Sequence, residues 1–321
     1  MKLGLFTPVF GKLSFQAMLE QFARYKALTA IELGTGGWPG SSHVDVDSLL
    51  DDRQRALDFA ARIRDAGLTI SALSCHNNPV HPDPEIARRD DSTLRKTIQL
   101  AERLSVPVVI TFSGCPGASA SDRTPNWIIA PWPPEFADAL DWQWEQRLIP
   151  YWKDAAHFAA NSGVKIALEA HPGFCVYNPE TLLRLRASTH PSLGINLDPS
   201  HLWWQGVDIP VAIELLKDSI FHVHAKDVAL QKAKIAQTGV LDAKSYLKMQ
   251  ERAWNFRSVG WGHGALEWKA IVSALRLAGY DYVLSIEHED ALASIDDGLS
   301  SAINFLNGVL LHEPPVEAWW T

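Results

Sequence analysis

The sequence predicts an α/β protein closed as a (β/α)8 TIM barrel, and three observations carry that prediction. Eight short apolar runs alternate with amphipathic stretches along the 321 residues. The runs are continuously apolar, as parallel strands covered on both faces should be. The competing open doubly wound sheet calls for a Gly-rich phosphate turn after its first strand, and Thr7-Pro8-Val9-Phe10 is not one.

Leu3 to Phe10 reads as the first strand. Ser14 caps a helix of about a dozen residues that turns Phe15, Met18, Leu19 and Phe22 to one face. Ala30 to Leu33 is the second strand and runs into a loop, Gly34 to Gly40. Asp51 or Asp52 opens a helix with Ala56, Phe59, Ala60 and Ile63 inward, and Gly67 closes it. Leu68 to Ser74 is the third strand, with His76 just beyond its end. A Pro-rich segment leads to a helix over Ser92 to Leu104, and Val106 to Phe112 is the fourth strand.

A long Gly-, Pro- and Trp-containing loop spans Ser113 to Pro134, followed by a helical stretch that ends near Gly163. Val164 to Leu168 is the fifth strand, with Glu169 and His171 beyond it. Pro179 starts a helix, and Leu193 to Leu197 is the sixth strand, which delivers Asp198. Pro199 breaks it, and His201 follows three residues after the carboxylate. Ile220 to Val223 is the seventh strand, with His224, Lys226 and Asp227 at its end. After a long connection, Trp268 to Leu277 is helical and Tyr282 to Ile286 is the eighth strand, delivering Glu287 and His288. A last helix runs from about Asp297 to Leu310. The domain reading is one barrel over residues 1–312 and an extended tail over 313–321.

Composition narrows the function. Hydrophobic content of 47% and 21% charged residues are those of a globular protein. A formal net charge of −8 argues against nucleic acid as a partner. No run approaches the ~20 apolar residues of a membrane span, and no signal peptide is read at the amino end. The three cysteines, Cys75, Cys115 and Cys175, lack metal-ligand spacing and read as reduced, buried filler in a cytoplasmic protein.

The chemistry collects at the strand ends. Glu169, Asp198, His224 and Glu287 follow four consecutive strands, five to eight. Carboxylates with one imidazole make a hard, oxygen-rich site that suits Mn²⁺ first, then Mg²⁺ or Co²⁺, with Zn²⁺ admissible. No nucleotide cofactor is expected. Glu32 reads as a barrel residue bonded to a neighbour's backbone, and Lys226 and Asp227 as a pair near the mouth that orients His224. His76 and His171 read as satisfied hydrogen-bonding histidines or as acid/base and ligand-supporting groups.

Four segments, Leu-Asp-Pro-Ser-His, His-Val-His-Ala-Lys-Asp, Ala-Leu-Glu-Ala-His-Pro and Ser-Ile-Glu-His-Glu, resemble the sugar phosphate isomerase/epimerase superfamily. This is the xylose isomerase-like barrel group, which also includes the AP endonuclease family 2 enzymes. The resemblance covers about residues 3 to 310. It implies a xylose isomerase-like fold, metal ligation by Glu169, Asp198, His224 and Glu287, and a substrate hydroxyl held by His201. It further implies that Glu169 and Glu287 act as acid and base. The second Asp-x-His ligand pair of endonuclease IV is missing from Phe256 to His263, which removes DNA repair. Arg257 and His263 there read either as contacts to a substrate oxyanion or hydroxyl, or as loop-to-backbone bonds.

Thirteen tryptophans are many for this length. Trp38, Trp127, Trp132, Trp203, Trp204 and Trp261 lie in loops that a barrel places at its mouth, where rings stack on sugars. Trp142, Trp144 and Trp152 sit at helical spacing and read as packing residues. The expectation is therefore a cytoplasmic, metal-dependent isomerase or epimerase acting on a sugar or keto-sugar through an enediolate. Alternatives are a metal-dependent lyase on a 3-keto-glycoside, like the barrel subunit of C-glycoside deglycosidases with a possible second subunit, and a non-catalytic binding subunit. The long loop should cover the pocket or a neighbouring subunit. The Trp-containing tail predicts a homo-oligomer.

Overall fold

The computed structural model describes residues 1–320. Eight strands close a parallel barrel: β1 (Lys2–Phe6), β2 (Leu28–Gly34), β3 (Thr69–Ser74), β4 (Val108–Phe112), β5 (Lys165–Glu169), β6 (Leu193–Leu197), β7 (Ile220–Ala225) and β10 (Val283–Ile286). Sequential strands are neighbours, and β10 pairs with both β7 and β1 to shut the ring. All eight predicted strands and the barrel are observed, but the first ends at Phe6: Thr7–Phe10, expected as strand, is a 3-10 turn with Pro8 in its first positions. Each strand is almost wholly buried because the ring's interior covers one face and the outer helices the other.

The helices form where the sequence supplies caps and one apolar face. Ser14 Oγ accepts Ala17 N–H and starts Phe15–Arg24, which buries Met18, Leu19 and Phe22. Asp52 caps Arg53–Asp65 through the N–H groups of Gln54 and Arg55. The helix expected from Ser92 begins at Pro84 instead and runs 21 residues to Leu104. Its start is set by the Asp83 cap and by Pro84, whose missing N–H costs nothing in a first turn. Pro134–Trp142 and Ile149–Asn161 are joined by a π-helical segment, Gln143–Leu148, just before Pro150. A wider turn there accommodates a proline that cannot donate inside a helix.

The long connection after β7 holds structure the periodicity did not announce. β8 (Asp227–Leu230) and β9 (Trp254–Arg257) pair as an antiparallel hairpin over the barrel's carboxyl end. The core fills the barrel and the space between barrel and helices; Trp144, Trp152 and Trp268 are among its largest fully buried side chains. Trp152 also donates its indole N–H to Ser113 O at 2.8 Å. Cys75, Cys115 and Cys175 are buried free thiols, and burial pushes Cys75 up to about 12. Among the described residues, no helix is long and apolar enough to cross a membrane. Beyond the last helix, Ile295–Asn307, the tail leaves Trp319 and Trp320 exposed. Thr321, the final residue of the expected tail, lies outside the described residues.

Candidate active site

The parallel register brings the ends of β5, β6, β7 and β10 to one level, and four side chains converge there. Glu169 closes β5; Asp198 follows β6, His224 lies near the end of β7, and Glu287 follows β10. One ligand-type atom from each lies within 4.8 Å of the others. His224 Nδ1 is 3.1 Å from Glu169 Oε2 and 2.9 Å from Glu287 Oε2. Asp198 does two things at once. Its Oδ1 accepts Ser200 N–H at 2.8 Å and caps the short helix Pro199–Trp203. Its Oδ2 is left facing the cluster, 3.3 Å from His201 Nε2, which is itself 3.2 Å from Glu169 Oε1.

His224 is fixed from behind by Glu32. Both Glu32 oxygens lie 3.0 Å from His224 Nε2, and Ser74 Oγ donates to Oε1 at 2.6 Å. Glu32 is therefore not merely bonded to a neighbouring backbone. Burial opposes charge on this ring, but Glu32, Glu287 and Glu169 hold its pKa well above the usual imidazole value. The imidazolium therefore directs Nε2–H at Glu32 and Nδ1–H at Glu169 and Glu287; an ion held there would take the place of the Nδ1 proton.

A second chain holds Glu169. Asn196 Nδ2 donates to Glu169 Oε2 at 3.1 Å, which fixes the amide so that Oδ1 faces His222 Nδ1 at 3.1 Å. An acceptor there requires the proton of His222 on Nδ1. Its Nε2 lies 3.2 Å from Ser71 Oγ, whose hydroxyl donates to Ile31 O at 3.3 Å. Burial lowers His222 to about 4, so the ring is neutral at pH 7 and has one proton to place. The His222 and Asn196 hydrogen bonds both donate toward Glu169, an alignment in which each strengthens the other. Sequence reading missed Asn196 and His222. The signal was their position two residues before Asp198 and His224, on the same inward face of otherwise apolar strands.

The donor set fits a divalent cation. Asp198 Oδ2, His201 Nε2, His224 Nδ1 and Glu287 Oε2 are buried without a hydrogen-bond partner. Such orphans cost free energy unless something satisfies them together. Lys226 answers only part of the need. Its Nζ lies 3.1 Å from Asp198 Oδ2, 3.0 Å from Glu287 Oε2 and 3.1 Å from Glu289 Oε2. Burial opposes ionisation of Glu287, but Lys226 and His224 pull its pKa down to about 2. His201 is pushed down to about 4 by burial, with His171 and Lys226 adding to the shift.

Lys226 and Asp227 do not pair with each other. Asp227 accepts the N–H groups of Gly260, Gly262 and His263 and faces His263 Nδ1 at 2.9 Å. His263 also stacks on Trp203 at 3.8 Å. Arg257 Nε bonds both oxygens of Asp290, at 3.2 and 3.1 Å. Arg257 and His263 thus tie the loop after β9 together, and neither lines the cavity above the carboxylates.

That cavity, about 590 Å³, is bordered by Trp38, His76, Phe112, His171, Phe174, Lys226, Tyr246 and Phe256. His76 Nε2 lies 3.0 Å from Glu169 Oε2, and His171 Nδ1 donates to Pro172 O at 2.6 Å. Gly37 makes the Trp38 position available. Its φ is +65°, and a Cβ there would come within 2.2 Å of His76 O. Trp38 N–H then bonds the same oxygen at 2.8 Å.

Of the loop tryptophans, Trp38 alone borders this cavity. Trp127 packs edge-on against Tyr177, 5.5 Å away, in a separate cavity of about 200 Å³. The loop from Ser113 folds outward because Gln143 Nε2 binds it, donating to Gly117 O at 3.0 Å and Asn126 O at 2.7 Å. No residue of that loop lines the carboxylate cavity. Its place is taken by the segment ahead of β9. Buried Arg252 sits there between Tyr246 and Trp254, 4.3 and 4.6 Å from the ring centroids, and Trp204 stacks behind Trp254 at 4.9 Å.

Barrel, strand-end carboxylates and histidines together define a class. Residues 22–308 match the model of the xylose isomerase-like TIM barrel family, and the chain belongs to that family. It is 39% identical over 309 residues to the uncharacterized protein YfiH of Bacillus subtilis (strain 168), spanning 95% of this chain and 98% of that one. An inosose dehydratase of Geobacillus thermodenitrificans (strain NG80-2) is 29% identical over 139 residues, 42% of this chain and 45% of the relative. Among solved structures, a D-tagatose 3-epimerase-like protein superposes with a TM-score of 0.64 at 21% identity, over 96% of this chain and 98% of that one. The IolI protein with a bound zinc atom superposes with a TM-score of 0.62 at 18% identity, over 97% and 98%. At those identities the structural likeness is one of fold.

Proposed function

We propose that the chain is a divalent-metal-dependent isomerase or epimerase that moves a proton beside the carbonyl of a sugar or keto-sugar. The observation that carries this reading is the convergence of Glu169, Asp198, His224 and Glu287 within 4.8 Å, with buried oxygens that Lys226 and His224 satisfy only in part. The epimerase-like and dehydratase relatives support the sugar half of it. These four residues would hold the ion, Mn²⁺ by preference. When bound it would supply a Lewis acid for the carbonyl and a neighbouring hydroxyl oxygen.

The chain's own groups carry the proton. Glu169 and Glu287 stand on different strands, so one removes the proton beside the carbonyl and the other returns it. The enediolate formed in between gives the epimer if reprotonated at the same carbon and the isomer if reprotonated at the next. His201, neutral at pH 7, offers a hydrogen bond to a substrate hydroxyl without adding a competing cation. The dehydratase match favours a second outcome from the same first step: loss of a leaving group, as in a lyase acting on a 3-keto-glycoside. The same reading takes the chain to act in the cytoplasm as a homo-oligomer, with no nucleic-acid partner.

The test is a panel of ketoses and keto-glycosides incubated with the Mn²⁺-loaded protein in D₂O. Products should carry solvent deuterium at the carbon beside the carbonyl. Glu169→Gln and Glu287→Gln should each slow the exchange by about 10²–10⁴-fold. Products free of deuterium, or unimpaired variants, contradict the reading. A product lighter by its leaving group selects elimination.

A further inference from the structure

The cavity above the carboxylates has two unlike halves. Its floor is crowded with charge. Glu169, Glu287, Glu289 and one lysine, Lys226, line it, and Lys226 Nζ lies within 3.1 Å of Glu287, of Glu289 and of Asp198, which does not itself line the cavity. No arginine lines the cavity. Lys226 is already shared among three carboxylates. A phosphate or carboxylate group on a ligand would therefore find no free cation and no bidentate donor, which is what recognition of such groups uses.

Most of the rest of its wall is aromatic. Phe112 and Phe174 stack at 4.2 Å with 17° between their planes, and Tyr246 and Phe256 stack at 5.7 Å with 21°. The second pair rises from the connection after β7, and Phe112 closes β4, three strands away around the ring. Trp38 and Tyr246, which complete the rim, are 55% and 54% exposed. Large rings held in water at the edge of a cavity gain free energy when a flat or apolar group covers them. A cavity of about 590 Å³ also lies in the range that encloses drug-sized ligands.

We propose that the natural substrate is an uncharged sugar derivative carrying an apolar, ring-sized substituent, and not a sugar phosphate. The sugar oxygens face the carboxylate floor, and the substituent lies against the Tyr246–Phe256 pair and Trp38. The sugar half rests on the reading of the site given above; the neutral charge and the apolar substituent rest on the cavity alone.

The experiment is equilibrium binding, with no turnover required. Calorimetry on the wild-type protein, with and without Mn²⁺, compares methyl β-glucoside, phenyl β-glucoside, fructose and fructose 6-phosphate. The phenyl glucoside should bind about ten-fold more tightly than the methyl glucoside, the increment expected from covering one aromatic ring. Fructose 6-phosphate should bind no more tightly than fructose. Phe256→Ala and Tyr246→Ala should each shrink the phenyl preference while leaving Mn²⁺ binding unchanged, which also reports that the variants are folded. Equal binding of the two glucosides, no binding of the phenyl glucoside, or tighter binding of the phosphate overturns the proposal. A phenyl preference in a protein that binds no Mn²⁺ supports this proposal while contradicting the metal-dependent reading. Mn²⁺ binding without that preference does the reverse.

Discussion

His222 touches none of the cavity, yet it sets the direction of two hydrogen bonds that end on Glu169. Replacing it by leucine leaves Asn196 Oδ1 unpaired in the barrel interior, at a cost of about 1–3 kcal/mol. Asn196 is then free to turn, and Glu169 loses a fixed partner. His222→Leu should weaken Mn²⁺ binding by about 10–100-fold, the usual effect of losing a group that orients a ligand. His222→Gln, which keeps one donor and one acceptor, should recover part of it. Mn²⁺ affinity in His222→Leu equal to wild type would remove the chain's role. At this scale the strand-end residues were legible because each follows an apolar run. Their supports were not, because Glu32, Asn196 and His222 act across strands, and one strand's sequence does not name the residue opposite. The choice between the two readings of Arg257 and His263 was hidden for the same reason: their partners Asp290 and Asp227 stand 33 and 36 residues away.

The connection between β7 and β10 is the element that sequence periodicity describes least well and the cavity depends on most. Its strands are four residues each, too short to establish a period. Its order comes from Asp242, which accepts Ala253 N–H at 2.7 Å and Lys244 N–H at 2.9 Å and pairs with Lys244 Nζ at 2.9 Å. Burial works to raise the Asp242 pKa, but these bonds bring it down to about 2. Because the folded value lies below the unfolded one of about 3.9, its contribution is full above that pH and is lost as pH falls through about 2. Asp242→Asn should therefore loosen residues 244–256 at pH 7. The wild-type segment should stay protected until the pH drops well below 4. Hydrogen exchange, corrected for intrinsic rates, should show the change in this segment and not in the barrel strands. Equal protection in both proteins at pH 7 would deny Asp242 that function. The loop from Ser113, expected over the pocket or against a neighbouring subunit, does not line the pocket. Its apolar residues were legible as a packing surface, but Gln143, 30 residues on, decides which way the loop folds.

For the molecule as a whole, the barrel was legible because parallel strands buried on both faces leave unbroken apolar runs, and helix caps such as Ser14 and Asp52 punctuate them. The tail adds two large exposed rings to those of the barrel loops. Trp319 and Trp320 lie edge to face at 5.8 Å, with 86% and 69% of their surfaces in solvent. A second copy of the chain is the proposed cover. Sedimentation should find an oligomer that a chain ending at Glu313 forms less well; a monomeric wild type at micromolar concentration contradicts this. The central claim concerns the floor of the barrel, where four strands each deliver one ligand to a single ion. Its most direct test is a calorimetric titration of metal-free protein with Mn²⁺, beside Asp198→Ala. The account predicts about one site per chain in the wild type and none in the variant, whose lost carboxylate oxygen no neighbour replaces. Equal binding by the two proteins, or no binding by the wild type, would contradict it.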